Sequence, residues 1–375
     1  MLIAAPAETD QGETRVAASP ETVKKFAALG AEVAVQDGAG DKAGFPDADY
    51  QSAGARLVSA DEALGADVVL KVRRPTAQEI PRLKPGALVI ATMDPYGHSD
   101  AIEAMAKARI AAFAMELLPR ITRAQVMDVL SSQANLAGYR AVIDAAAEFG
   151  RAMPMMMTPA GTVTAARVFV MGVGVAGLQA IATGRRLGAV VTANDVRPAT
   201  KEQVESLGAK FVAVEDEEFK QAETAGGYAK EMSDGYKAKQ AALVATHIAK
   251  QDIVVTTALI PGRPAPRLIT ADMVKSMHAG SVIVDLAVER GGNCELSRPG
   301  ELAISDNGVR IVGYSNVTRI PASASALYAR NLYAFAETLI DKATKSLAVN
   351  WDDELVKATC LTRDGAIVHP AFATQ

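Results

Sequence analysis

Short β-branched and apolar runs alternate with longer stretches of helical periodicity along almost the whole chain, a pattern that predicts α/β layers on parallel sheets. In the first third the strand candidates are residues 32–36, 67–72, 87–92 and 109–114. Ser19 before Pro20 reads as a cap and first helical residue, with Gly30 as the stop, of a helix over about 20–29. From Arg123 to about Arg151 there is no proline and only Gly138 and Gly150 interrupt, so one long helix is predicted. It leads into Met153-Pro154-Met155-Met156-Met157-Thr158-Pro159-Ala160-Gly161, whose punctuation reads as a linker. Strand candidates resume at 167–171, 189–193, 210–214, 252–257, 281–286 and 309–312, a full doubly wound set. After Pro321 a second long helix is predicted over 322–345, with Leu327, Leu332, Phe335, Leu339 and Ile340 near helical spacing.

Length and charge narrow the classes of function. The chain has 375 residues, enough for two or three domains. Lys+Arg 39 against Asp+Glu 43 leaves a net charge of −4 spread along the sequence, which argues against a nucleic-acid or anionic-membrane footprint. The longest run free of charged residues, 168–184, is shorter than the ~20 apolar residues a membrane-spanning helix needs, so no direct membrane insertion is expected. Glu8, Asp10, Glu13 and Arg15 near the start leave no apolar core for a secretory signal. Cys294 and Cys360 can neither build a disulfide framework nor supply a metal-ligand spacing, so a reducing compartment and no metal are expected.

The sharpest motif follows the strand candidate 167–171 directly. Gly172-Val173-Gly174-Val175-Ala176-Gly177 opens a helix candidate that runs to Leu187, and the next strand candidate leads into Asn194-Asp195. This is a dinucleotide fingerprint in its full context: Gly172 for the tight turn, Gly174 for the approach of the pyrophosphate, Gly177 for close helix–strand packing. The helix N-terminus adds free amides and partial positive charge. Asp195 stands at the position, about 20 residues on, where an acid accepts hydrogen bonds from the adenosine ribose. Arg197 could instead receive a 2′-phosphate, but the carboxylate weighs more heavily and predicts NAD(H) over NADP(H). The expected fold is α/β, with two doubly wound Rossmann-like domains separated by a cleft and joined by two long helices. Residues 1–131 with 322–375 are expected to form one discontinuous domain, and 132–321 the NAD(H)-binding one.

Polar residues elsewhere are less decisive. If the long helix begins near Ala124, Gln125, Asp128 and Ser131 form a polar stripe able to bind a nicotinamide's amide, or a solvated helix start capped by Thr122. Thr224-Ala225-Gly226-Gly227-Tyr228-Ala229-Lys230-Glu231-Met232 reads as a hinged lid or a plain surface loop. His98, His247, His278 and His369 are the only histidines, and none stands in a setting that marks a proton carrier. Hydride transfer between two nicotinamides would need none at the reacting carbons.

Several of these segments together resemble one family. Gly172 to Ala180, the Arg120 to Ser131 segment continuing through Asn135-Leu136-Ala137-Gly138-Tyr139-Arg140, and 225–232 are similar to the NAD(H)-binding component of proton-translocating nicotinamide nucleotide transhydrogenase. So are Thr257-Ala258-Leu259-Ile260-Pro261-Gly262, residues 284–294 and residues 362–370, and the likeness covers essentially the whole chain. The resemblance implies direct hydride transfer, as an NAD(P)+ transhydrogenase of Si-specific or Re/Si-specific type, between NAD(H) here and NADP(H) on a separate partner component. Proton translocation would occur in a membrane-spanning component. It implies a homodimer docked peripherally on the cytoplasmic side of the inner membrane, and the lack of a membrane segment before Gln375 suggests partner regions on separate chains. By matching positions, Arg120, Gln125, Asp128 and Ser131 would hold the nicotinamide end, with Ile121, Thr122 and Arg123 beside them. Val175, Asp195, Val196 and Arg197 would hold the adenosine end. Gly227, Tyr228, Gln240, Thr257, Ala258 and Leu259 would line or close the site.

The same fold serves alanine dehydrogenases, the alternative reading. Arg15 and Lys71 stand in the Arg-Val-Ala and Lys-Val contexts where those enzymes keep substrate-carboxylate ligands. Against it, the segment 91–98 does not preserve the catalytic histidine context, and Glu289 stands where they carry a catalytic aspartate.

Overall fold

Runs of Val, Ile, Leu and Ala that are apolar on both faces pair in parallel, as strands buried on both sides must. The computed structural model describes residues 1–221, 232–260 and 262–373. Its chain divides into two units: Met1–Gln133 with Val317–Gln375, and Ala134–Asn316.

Unit 1 begins with β1 (Leu2–Ala5), α1 (Pro20–Ala28), β2 (Glu32–Gln36), β3 (Arg56–Val58), β4 (Val68–Arg73), β5 (Leu88–Thr92) and β6 (Ala111–Ala114). Ser19 and Thr22 form a reciprocal capping box ahead of α1, and Gly30 follows with φ +85°. Along β4 the pleat sends Leu70 into a cluster with Phe26, Ile90, Phe113, Leu332 and Phe335, and Val69 into a second with Val89, Ile102, Met105 and Leu361.

The helix predicted over 123–151 is divided in two. Thr122–Met127 forms a 3-10 helix, and α2 (Val129–Glu148) starts afresh after it. Asp128 makes the break: its backbone is extended, with ψ 92°, and its carboxylate accepts from the Ser131 amide at 2.9 Å. An aspartate able to cap its own downstream turn competes with helix continuation. The chain passes into unit 2 within α2.

Unit 2 opens with a short exposed hairpin, β7 (Met156–Thr158) with β8 (Gly161–Val163), where the sequence predicted a linker. Pro159-Ala160 supplies the turn of that hairpin. β9 (Arg167–Met171), α3 (Val175–Arg186), β10 (Val190–Asn194), β11 (Lys210–Phe211), α4 (Asp234–Ile248), β12 (Ile253–Thr256), β13 (Val282–Asp285), β14 (Leu302–Ile304) and β15 (Arg310–Val312) follow. The sheet order is β11-β10-β9-β12-β13-β15-β14, parallel except for β14. β11 is shorter than predicted because Val214 leaves the ladder, its amide donating to the Gln240 side chain at 3.0 Å.

The chain returns to unit 1 at residues 316–317 and forms α5 (Pro321–Glu337). The predicted helix over 322–345 ends there, because the chain turns into the hairpin β16 (Ile340–Asp341) with β17 (Ser346–Leu347). Leu339 and Ile340 are nevertheless buried in the same cluster as Leu332 and Phe335. β18 (Cys360–Arg363) and β19 (Ala366–Ile367) complete the first sheet in the order β19-β18-β6-β5-β4-β1-β2-β3. β18 runs antiparallel to β6.

Candidate functional site

The carboxyl ends of β9, β10 and β12 gather most of the candidate residues in unit 2. In the order β10-β9-β12 the chain reverses its winding between β9 and β12, the place where open α/β sheets bind ligands. Gly172 leaves β9 with φ +98°, a conformation open to glycine, and a Cβ there would lie 2.6 Å from the Thr257 hydroxyl. That hydroxyl donates to the Gly172 carbonyl at 3.0 Å and ties the β9 turn to the β12 loop. Gly177 packs α3 onto the turn, since a Cβ there would fall 1.9 Å from the Gly172 carbonyl oxygen. Gly174 is different: nothing lies within 4 Å of its Cβ position, and as N-cap of α3 it supplies no side chain to the first amides. The three glycines thus form a tight turn, a close packing contact and an open approach to a bare helix N-terminus, a donor set that fits a pyrophosphate.

Asp195 follows β10 and is nearly buried. Its carboxylate accepts from the Val173 amide at 2.7 Å and from the Arg197 amide at 2.9 Å. The Arg197 guanidinium forks onto both of its oxygens at 2.9 Å and donates to the Val173 carbonyl at 3.2 Å. Val175, Val196 and Leu259 are exposed apolar side chains following β9, β10 and β12 in turn, a surface suited to a nucleobase. Gln240 is spent on the Val214 amide. Gly227 and Tyr228, with the predicted lid, lie outside the described residues.

Two residues that hold this region together were not singled out from the sequence. Asn293 is fully buried; it accepts from the Ala258 amide at 3.0 Å and donates to the Ala258 and Pro266 carbonyls at 2.9 and 2.8 Å. Asp285, also fully buried, accepts from the Thr256 hydroxyl, the Ala287 and Cys294 amides and the Ser297 hydroxyl. Between them they fix the backbone after β12 and β13. Their only sequence signal is a polar residue in an apolar or glycine-rich context.

The 120–131 candidates lie in unit 1. Arg120, Thr122, Arg123 and Gln125 are exposed and Ile121 is half-buried. Ile121 rather than Thr122 is the N-cap of the 3-10 helix, and no side chain caps it. Arg123 forks onto Asp353 at 2.8 and 2.7 Å. Asp128 and Ser131 are in direct contact, the serine hydroxyl donating to the carboxylate at 2.5 Å. Because Asp128 is the junction of two helices, Gln125, Asp128 and Ser131 do not form the stripe of one continuous helix.

Unit 1 also holds a buried charge cluster. Lys71, 1% exposed, pairs with Glu8 at 3.3 Å and Glu79 at 3.0 Å. Arg15 forks onto Glu13 at 2.7 Å through Nε and Nη2 and donates to Gln133 at 2.9 Å, while Arg73 reaches Glu13 at 3.0 Å. Burial pushes the Glu13 carboxyl up, but the Arg15 fork and the Arg73 charge prevail and hold it down at about 2. Both cations named for the alternative reading are therefore neutralised by carboxylates of the chain itself. Among the described residues no group of three or more His, Cys, Asp or Glu could hold a metal ion, and no helix is long and apolar enough to cross a membrane.

Comparison with known proteins gives the same picture along the whole chain. Residues 4–137 match the alanine dehydrogenase/PNT N-terminal domain and residues 141–370 the C-terminal domain. The chain is 58% identical to the first portion of the NAD(P) transhydrogenase subunit alpha of Rhodospirillum rubrum, a separate chain there, with both chains covered completely. A crystal structure of transhydrogenase from Sinorhizobium meliloti superposes with a TM-score of 0.90 at 62% identity, covering 98% of this chain and 100% of that one. An alanine dehydrogenase of Halomonas elongata is more distant, 31% identical over 100% of this chain and 96% of that protein. With both domains matched in order and the transhydrogenase subunits so much nearer than the dehydrogenase, the chain belongs to the alanine dehydrogenase/PNT family, among its transhydrogenase alpha subunits.

Proposed function

We propose that this chain is the NAD(H)-binding subunit of a proton-translocating transhydrogenase. It works as a homodimer held peripherally on the cytoplasmic side of the membrane, and exchanges hydride with NADP(H) carried by a partner component. A membrane-spanning component moves the proton. The observation that carries the reading is the glycine turn at 172–177, which leaves the N-terminus of α3 uncapped and approachable beside an acid at the end of β10. When bound, the nicotinamide supplies the hydride chemistry. The chain's own residues bind and orient: α3 amides and Gly174 face the pyrophosphate, while Val175, Asp195, Val196 and Leu259 hold the adenosine end. Arg120, Gln125, Asp128 and Ser131, with Ile121, Thr122 and Arg123, hold the nicotinamide end with the reacting carbon outward. Thr257, Ala258 and Gln240 set the loops around them, and Gly227 and Tyr228 close over the site. Two reacting carbons must come within about 3–3.5 Å, so the ring is presented to another protein rather than to a dissolved metabolite. The neutralised state of Arg15 and Lys71 favours this reading over alanine dehydrogenation.

The test mixes the purified chain with the NADP(H)-binding component of a transhydrogenase and follows transfer from NADPH to an NAD analogue. Transfer is expected, and Gln125→Ala or Asp128→Asn should slow it far more than it weakens NADH binding, since these groups set geometry. Alanine-dependent NADH formation by the chain alone would select the dehydrogenase instead.

A further inference from the structure

Asp195 has its acceptor capacity filled in this structure. An ionised carboxylate offers about four lone-pair sites. Here two take the backbone amides of Val173 and Arg197, and two take Nε and Nη2 of the Arg197 side chain. The backbone bonds belong to the turn and cannot leave without unmaking it. The side-chain pair can leave, because the Arg197 guanidinium is 28% exposed and its bond to the Val173 carbonyl is a single one at 3.2 Å. A ribose 2′,3′-diol would bring two hydroxyl donors to the same two oxygens.

We infer that Arg197 is an exchangeable occupant of the ribose subsite: its guanidinium sits on Asp195 in the free protein, and the adenosine ribose of a dinucleotide displaces it. This rests on the NAD(H)-binding reading above and deepens it, because it makes Arg197 a competitor for NADH rather than one of its ligands. Two consequences have opposite signs. With NADH, some of the binding free energy goes into breaking the Arg197–Asp195 pair, so the residue lowers affinity. With NADPH, the displaced guanidinium meets a 2′-phosphate with matching fork geometry, so the same residue raises affinity.

The experiment titrates the full chain and its Arg197→Ala variant with NADH and with NADPH. Arg197→Gln, which keeps bulk and polarity but loses the charge and the fork, repeats the measurement if the alanine variant folds poorly. The expected result is NADH binding tighter by about fivefold in the variants, the scale of a partly exposed ion pair. The gain should shrink as salt is raised and the pair in the parent protein is screened. NADPH binding should weaken over the same series. Weaker or unchanged NADH binding in a folded variant overturns the inference while leaving the NAD(H) reading intact. Failure of the parent chain to bind NADH at all overturns that reading instead.

Discussion

Lys71 shows how much of unit 1 depends on single charges. With its side chain buried between Glu8 and Glu79, it is worth little as a net stabiliser, because desolvating three charges offsets most of their attraction. Removing it is another matter, since two carboxylates remain in a place water does not reach. Lys71→Met should therefore cost roughly 3–5 kcal/mol in chemical denaturation. The sign of its pH dependence is fixed by the same argument. Burial already raises the Glu8 carboxyl, Lys71 being the chief force holding it down. Without Lys71 the folded state binds protons more tightly than the unfolded chain, and its deficit grows as pH rises past the ordinary carboxylate range. The variant should be closest to the parent near pH 5 and furthest from it near pH 8. An equal deficit at both would mean that the carboxylates find other partners.

Gly138 plays the corresponding role between elements. It sits inside α2, where glycine costs up to about 1 kcal/mol against alanine. The reason is contact: a Cβ there would come 2.0 Å from the Ala176 carbonyl oxygen, so α2 lies backbone to backbone on the first turn of α3. Gly138→Ala should gain helix propensity yet lose about 1–3 kcal/mol through displacement of α3, and NADH binding should weaken with it. A variant as stable as the parent and binding equally well would show that the two helices separate freely. Such contacts explain what the sequence could and could not disclose. β2 and β9 are legible to the residue because β-branched runs bounded by turns leave little choice. β1 and β18 escape notice: Leu-Ile-Ala-Ala has weak strand preference, and Cys360–Arg363 is a strand only because β6 waits for it far away in sequence. The glycine turn declares itself because each glycine answers a local steric demand. Asn293 does not, because its partners, the Ala258 and Pro266 backbones, lie a loop away. The break at Asp128 could have been foreseen, since an aspartate three residues before a serine in a helical stretch is also a cap.

Across the whole molecule, each unit carries its own pair of hydrophobic clusters, one on either face of its sheet. A ligand that binds only the folded state protects the structure around its contacts, by about 2.7 kcal/mol at a hundredfold excess over its Kd. The proposed adenosine-end residues all belong to unit 2, whereas Arg120, Gln125, Asp128 and Ser131 belong to unit 1. Fragments of the dinucleotide should therefore divide the protection. AMP, which has an adenosine and one phosphate, should slow amide exchange in the 172–177 turn and after β10 and β12, with no change in peptide 120–131. NADH should protect the same turn and add protection at 120–131, where the Ser131 amide is already held by Asp128 and its neighbours are exposed. Hydrogen exchange read by mass spectrometry, at matched saturation, separates the two patterns. Protection of 120–131 by AMP, or its absence with NADH while the 172–177 turn is protected, would mean that the nicotinamide is held by other residues.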